Sequence, residues 1–260
     1  MTEKRFKNCL NKWNLYNYFT NAEKACLNKK RKPDIIYIFN KKDYNQFKEM
    51  DDLQDKAWYA CYGSNLLEER FLCYILGGQP AGAKTVYGGC LDKTIPSESE
   101  DMYINSELYF ARASKNWDNG GVAFIRTTFS PTIKTMGRIY LITKGQLIDI
   151  AKQETNTVSG LKMDFNKAIL DGSYIFKEKS WYGNLLYIGQ QNDYPIFTLT
   201  NESDNQTETK PSADYLKTIC QGIKQTHGFD DFTILDYLKN KRGIIGNYTD
   251  EQLMQIITEQ

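Results

Sequence analysis

The sequence predicts an α+β chain in which many short strands, curled into a barrel or bent sheet, are followed by helices. Three observations carry this. From Trp58 onward, short apolar runs are split by glycines and polar turns, a pattern that favours a barrel or curled sheet over a doubly wound fold. The final stretch, from Pro211 on, returns to helical periodicity with legible caps. At 260 residues, with 41% apolar and 25% charged residues, the composition is that of a globular protein: one enlarged domain, or one domain with extensions.

Taken in order, residues 1–32 carry nine basic and two acidic side chains, about +7, so the chain's net +1 leaves about −6 for the rest. Phe6, Cys9, Leu10 and Trp13 share one helical face in this arm. A basic amphipathic helix can meet nucleic acid, an anionic membrane or a partner, or dock on the acidic remainder by its apolar stripe. Ile35–Phe39 reads as a short strand, followed by a polar helical stretch to Asp55. The next candidate strands are Trp58–Tyr62, Val86–Leu91, Leu108–Arg112, Val122–Thr128, Gly137–Ile142 and Leu185–Ile188. Asn201–Lys210 reads as an exposed loop. Ser212 is the expected N-cap of a helix whose apolar face is Leu216, Ile219, Cys220 and Ile223, with Gly228 as its stop. His227 lies on that face and reads as a packed or capping histidine. Thr249 and Gln252 form a capping box for the last helix.

The balanced net charge argues against a nucleic-acid partner for the chain as a whole. No apolar run approaches the roughly 18 residues that would span a bilayer, and the start lacks the apolar core of a signal peptide. The chain therefore reads as cytoplasmic. Six cysteines without a CxxC pair and a single histidine argue against a zinc site or a disulfide framework. There is neither a Walker loop nor a GxGxxG, and no cofactor is expected.

Two stretches carry chemistry. In Trp58–Phe71 an aromatic strand runs into Gly63-Ser64-Asn65 and then a helix, a turn that gathers backbone N–H groups and suits a carboxylate or a developing oxyanion. Gly63 is read as supplying special backbone angles and Ser64 or Asn65 as the cap. Cys61 beside it reads as a buried structural thiol. In Thr143–Glu154, Thr143 and Gln146 form a capping box, and Leu147, Ile150, Ala151 and Glu154 fall on one stripe. An acid there either snorkels to solvent or sits in a partly dry pocket, where its pKa rises toward that of a general base. A backbone anion site beside a desolvated glutamate suits acyl transfer.

The set Tyr62-Gly63-Ser64-Asn65-Leu66, then Gly120-Gly121-Val122-Ala123, then Gly137-Arg138-Ile139-Tyr140 leading to Gln153-Glu154, resembles the γ-glutamyl cyclotransferase family. Pro211-Ser212, Tyr215-Leu216, Ile219 and Gly222 are similar to that family's C-terminal helix. The resemblance covers about residues 58–229. It implies a small mixed β-barrel core with flanking helices, and a reaction in which the substrate's own α-amine attacks its γ-amide to release 5-oxoproline. It implies Glu154 as the general base and acid, and Tyr62, Gly63, Ser64, Asn65 and Leu66 as the substrate-binding loop. Gly121 and Lys162 are then candidate pocket-wall residues.

Thr155 stands where the family has glycine, and Ser159–Met163 replaces a segment that usually holds an aromatic. The leaving group is therefore open among an amino acid, an amine and a biosynthetic intermediate. The expected organisation is an N-terminal extension (1–55), a catalytic domain (56–229) and a C-terminal helical extension (230–260). Two competing readings stay open: a binding module using the basic arm, and a hydrolase using Cys61 and His227.

Overall fold

Strand β1, Lys56–Cys61, is buried from Ala57 onward because the molecule covers both of its faces. Its alternation divides the core: Ala57, Tyr59 and Cys61 pack with Phe71, Tyr140 and Ile150, whereas Trp58, Ala60 and the following Tyr62 pack with Phe110, Phe124 and Leu216. The structure is a computed structural model that describes residues 55–80, 85–204 and 206–259. The expectations for Phe6–Trp13, for Ile35–Phe39 and for the polar stretch before residue 55 fall outside the described residues.

β1 pairs antiparallel with β5, Thr135–Thr143, and parallel with β8, Tyr194–Thr200, so that Tyr59 faces Tyr140 on one side and Phe197 on the other. The remaining strands of this mixed sheet are β2 (Ser99–Ile104), β6 (Ser173–Ile175) and β7 (Asn184–Gln191), in the order β2-β5-β1-β8-β7-β6. β3 (Leu108–Ser114) and β4 (Gly120–Ile125) form a separate antiparallel pair whose apolar residues join the Trp58 side of the core. The expected α+β class with a mixed sheet stands; hydrogen bonding among the described strands gives an open sheet faced by a two-stranded ribbon.

Among the described residues, six α-helices flank the strands: α1 (Glu68–Leu76), α2 (Lys144–Glu154), α3 (Phe165–Asp171), α4 (Ala213–His227), α5 (Asp231–Lys239) and α6 (Asp250–Thr258). Their ends follow the sequence. Thr143 and Gln146 cap α2 reciprocally, Thr249 and Gln252 do the same for α6, and Ser212 accepts from the Tyr215 amide at the start of α4. Gly228 closes α4 at φ +66°. On the Tyr59 side, Phe71 of α1 stacks on Tyr140 with ring centroids 3.9 Å apart, and Leu147, Ile150 and Ala151 of α2 complete the layer.

Some elements depart from expectation. Val86–Leu91 is not a strand: only a bridge between Gly78 and Tyr87 forms, Val86 and Leu91 are 70% and 92% exposed, and Gly89 turns at φ +81°. β2, β6, β8 and α3 were not expected. Ile234 and Leu238 of α5, with Leu253, Ile256 and Ile257 of α6, are buried in the same core as Trp58 and Leu216. Residues 230–259 thus contribute side chains to that core.

Candidate active site

The turn leaving β1 is set by what surrounds it. Gly63 sits at φ −117°, open to any residue, so the expectation that it supplies unusual angles is corrected. Its glycine is a matter of room: a Cβ would lie 3.0 Å from the Tyr215 hydroxyl and 3.2 Å from Ala123. Ser64–Leu66 forms one 3-10 turn, Leu67 breaks it, and α1 starts only at Glu68. Neither Ser64 nor Asn65 caps a helix, a second correction. Instead the Ser64 hydroxyl accepts from Arg70 Nε at 2.8 Å.

All of the turn's carbonyls are engaged. Gly63 and Ser64 accept from the Leu66 and Leu67 amides, Asn65 accepts from the Tyr140 hydroxyl, and Leu66 accepts from Arg138 Nη1. Among the described residues, the amides of Ser64 and Asn65 meet no acceptor. The free backbone donors of the turn are therefore these two amides rather than a helix N-terminus. Tyr62 is buried and donates its hydroxyl to the Leu199 carbonyl at 2.6 Å, which fixes the entry to the turn.

Glu154 ends α2 on the stripe that Leu147, Ile150 and Ala151 bury. Glu154 is half-buried, its carboxyl lines the cavity, and desolvation there pushes its pKa up from the ordinary carboxylate value of 4.5. Hydrogen bonding from Tyr74, the charge of Arg70 and hydrogen bonding from Asn65 pull in the opposite direction without cancelling it. The helix end is held on two sides. Gln153 donates to the Tyr74 carbonyl at 3.0 Å and accepts from the Gly89 amide at 3.2 Å. Thr155 is buried, its hydroxyl bonded to the Ala151 carbonyl at 2.7 Å, and Lys177 Nζ donates to the Thr155 carbonyl and to the Thr157 hydroxyl.

Turn and carboxylate meet in two joined spaces. An inner recess is lined by Tyr62, Gly63, Ser64, Asn65, Ala123 and Glu154. An outer cavity of about 460 Å³ shares Ser64, Glu154, Tyr182 and Tyr215 with it and widens toward Arg70, Trp117, Lys177 and Trp181. Tyr215 accepts from the Ala123 amide at 3.0 Å, and burial pushes its hydroxyl up to about 12, so it stays protonated at neutral pH.

The structure thus brings together Glu154, Tyr62, Gly63, Ser64 and Asn65. Leu66 is buried beneath the turn and its backbone serves the turn's own bonding. Gly121 does not line the cavity: a Cβ there would fall 2.2 Å from the Thr209 carbonyl, so this glycine serves close packing against the loop before α4, and Val122 and Ala123 face the cavity. Lys162 is exposed and lines neither space. Arg70, Tyr74, Trp117, Lys177 and Trp181 were missed; their sequence surroundings are those of ordinary surface helix and loop. The Cys61–His227 hydrolase reading is also corrected. Burial drives the Cys61 thiol well above its ordinary value, the opposite of a nucleophile's need, and His227 is packed between Tyr103 and Phe229.

Among the described residues, no three His, Cys, Asp or Glu side chains are grouped to hold a metal ion, and no helix is long and apolar enough to cross a membrane. No family model matches the chain. A stretch of 156 residues is 37% identical to a protein named histone deacetylase 5 from Arabidopsis thaliana, covering 55% of this chain and 23% of that protein. The chain thus matches about a quarter of the length of this curated relative, whose name describes the whole of it. Among solved structures, one named gamma-glutamyl cyclotransferase aligns over 78% of this chain and 98% of its own, with a TM-score of 0.43 and 19% identity. An uncharacterized protein from Homo sapiens aligns over 78% of this chain and 99% of its own, with a TM-score of 0.42 and 19% identity.

Proposed function

We propose that the chain is a γ-glutamyl cyclotransferase-type enzyme. The observation that carries the reading is a half-buried carboxyl, Glu154, whose pKa desolvation pushes up, lining the same recess as Ser64 and Asn65 with their two free turn amides. The motifs that resemble this family support it, since Tyr62 to Asn65, Ala123, Glu154 and Tyr215 from them line that recess.

In this reading Glu154 takes a proton from the substrate's α-ammonium, and the freed amine attacks the γ-carbonyl carbon of the same molecule. A new C–N bond closes a five-membered ring, and negative charge develops on the carbonyl oxygen, where the Ser64 and Asn65 amides face it. The bond to the leaving nitrogen then breaks as Glu154 returns the proton to it, and the ring nitrogen gives up its remaining surplus proton to the departing amine, which leaves as an ammonium. The products are 5-oxoproline and a free amine or amino acid, and no covalent enzyme intermediate is needed. Because nucleophile and electrophile belong to one molecule, much of the acceleration comes from holding it in a reactive bend. The raised carboxyl pKa suits a base that must both accept and return a proton near neutrality.

The test is 5-oxoproline release from a panel of γ-glutamyl amino acids, amines and peptides by the wild type and by Glu154→Gln. Release by the wild type and its loss in a folded variant is the expected result; turnover retained in the variant would remove Glu154 from the chemistry.

A further inference from the structure

The cavity contains a charge that this chemistry leaves unused. Arg70 is 7% exposed, and a guanidinium withdrawn from water is costly unless it is matched. Its hydrogen-bond partners are neutral, with Glu154 acting on it only through space: Nε donates to the Ser64 hydroxyl at 2.8 Å and Nη2 to the Tyr87 hydroxyl at 3.0 Å. The rings of Trp117 and Tyr87 lie 4.9 and 5.7 Å from its central carbon. Among the described residues no carboxylate forms an ion pair with it, and Nη1 has neither an acceptor nor complete enclosure. The guanidinium is thus pinned by two hydroxyls and two rings, with one nitrogen left for something in the cavity it lines.

Glu154 lines the same cavity, so beside Lys177, which is already bonded to Thr155 and Thr157, the site presents the fixed Arg70 cation and a desolvated carboxyl. A γ-glutamyl head group has the complementary pattern, an α-ammonium and an α-carboxylate on one carbon. We propose that Arg70 is a substrate-binding residue whose free Nη1 takes the α-carboxylate while the neighbouring α-ammonium meets Glu154. This rests on the cyclotransferase reading and deepens it: the substrate must carry both a free α-amine and a free α-carboxylate. It also accounts for the Arg70–Ser64 bond, which couples the carboxylate site to the turn whose amides face the reacting carbonyl. A planar fork already held by hydroxyls suits a carboxylate better than a mobile ammonium does.

The experiment compares L-γ-glutamyl-alanine with its γ-aminobutanoyl counterpart, which keeps the amine and the amide, lacks the α-carboxylate, and cyclises to 2-pyrrolidinone. The quantity read is the ratio of kcat/KM for the two substrates within each protein. The wild type is expected to prefer the carboxylated substrate by roughly 10- to 100-fold, the range for a hydrogen bond between charged groups. Arg70→Met should bring the ratio near 1, mainly through KM, and Arg70→Lys should fall between. Circular dichroism checks each variant's fold, and a general loss of structure lowers both substrates together without moving the ratio. A ratio unchanged in Arg70→Met would make Arg70 a clamp on Ser64 only and overturn the proposal. If the wild type turns over neither substrate, the cyclotransferase reading fails separately. Calorimetric binding of 5-oxoproline against 2-pyrrolidinone then decides the Arg70 proposal. A carboxylate preference lost in Arg70→Met upholds it, and no preference, or one that survives the substitution, overturns it.

Discussion

Gly222 of α4 offers a direct test of how the turn is placed. A Cβ at this position would lie 2.5 Å from the Leu66 Cβ, 2.6 Å from the Leu67 amide nitrogen and 2.7 Å from the Leu66 carbonyl carbon. Carbon atoms settle at about 3.5–4.0 Å, so Gly222→Ala forces helix and turn apart by roughly 1 Å. α4 is anchored by the buried Leu216, Ile219, Cys220 and Ile223, so the turn should yield. Overpacking of this kind costs about 1–3 kcal/mol, which for a domain of this size lowers Tm by roughly 2–12 °C. A displacement of about 1 Å in positioning groups costs on the order of 100-fold in rate, so 5-oxoproline release should fall by about that much. The assay is thermal denaturation followed by circular dichroism, with steady-state kinetics on the same samples. A variant with Tm within 1 °C of the wild type by about the error of the method and undiminished turnover would refute the claim that α4 sets the turn's position.

Two further outcomes follow from the site's electrostatics and its supports. Glu154 binds its proton more tightly in the folded state than in the unfolded chain, so stability should fall as pH rises from 4.5 through the raised native value, the penalty being complete above it. Glu154→Gln removes that titration and should be more stable than the wild type at pH above the native value yet not below 4.5; a difference that is constant across thermal scans over this range would place Glu154 in water-like surroundings. Lys177→Met removes the cation that ties the Thr155 carbonyl and the Thr157 hydroxyl and should lower kcat by roughly 10-fold with KM little changed, since the base loses its support rather than its contact with substrate. An effect confined to KM would instead place Lys177 against the substrate.

How far the sequence leads depends on whether a feature is periodic or capped. The stripe 147, 150, 151 and 154 with its Thr143–Gln146 cap marks both α2 and the misplaced acid at its end, because helical periodicity and capping are local. β2 escaped notice because SEDMYI reads as polar loop; it is an edge strand, mostly exposed, held by pairing with β5. β8 contains Pro195 next to the turn at Asn192-Asp193, and its strand character comes from β7 and from β1, far away in sequence. Val86–Leu91 has strand composition without a pairing partner, so propensity alone overstated it. Gly121, a pocket-wall candidate by resemblance, with Gly120 instead admits the close approach of Thr209 and Ser212, which only the fold brings near. Arg70 was invisible for a general reason: an arginine in a helix is ordinarily solvated, and only the fold shows that Trp117, Tyr87 and Ser64 enclose this one.

The parallel contact between β1 and β8 has a consequence for synthesis and folding. The pairing of Trp58 with Ile196 and the Tyr62–Leu199 hydrogen bond, the latter across 137 residues, join distant parts of the chain, and the turn then waits for Gly222 and Tyr215 to close over it. Such long-range pairing forms slowly, since the loop must be closed before its contacts can reward it. A ribosome that has released residues up to the end of α2 has delivered Glu154, the free amides and the β1–β5 pairing, but not β8, Tyr215 or Gly222, which complete the surroundings of the turn. The first strand therefore keeps one edge unpaired until the last third of the chain has emerged, an open aromatic edge of the kind that holding chaperones cover.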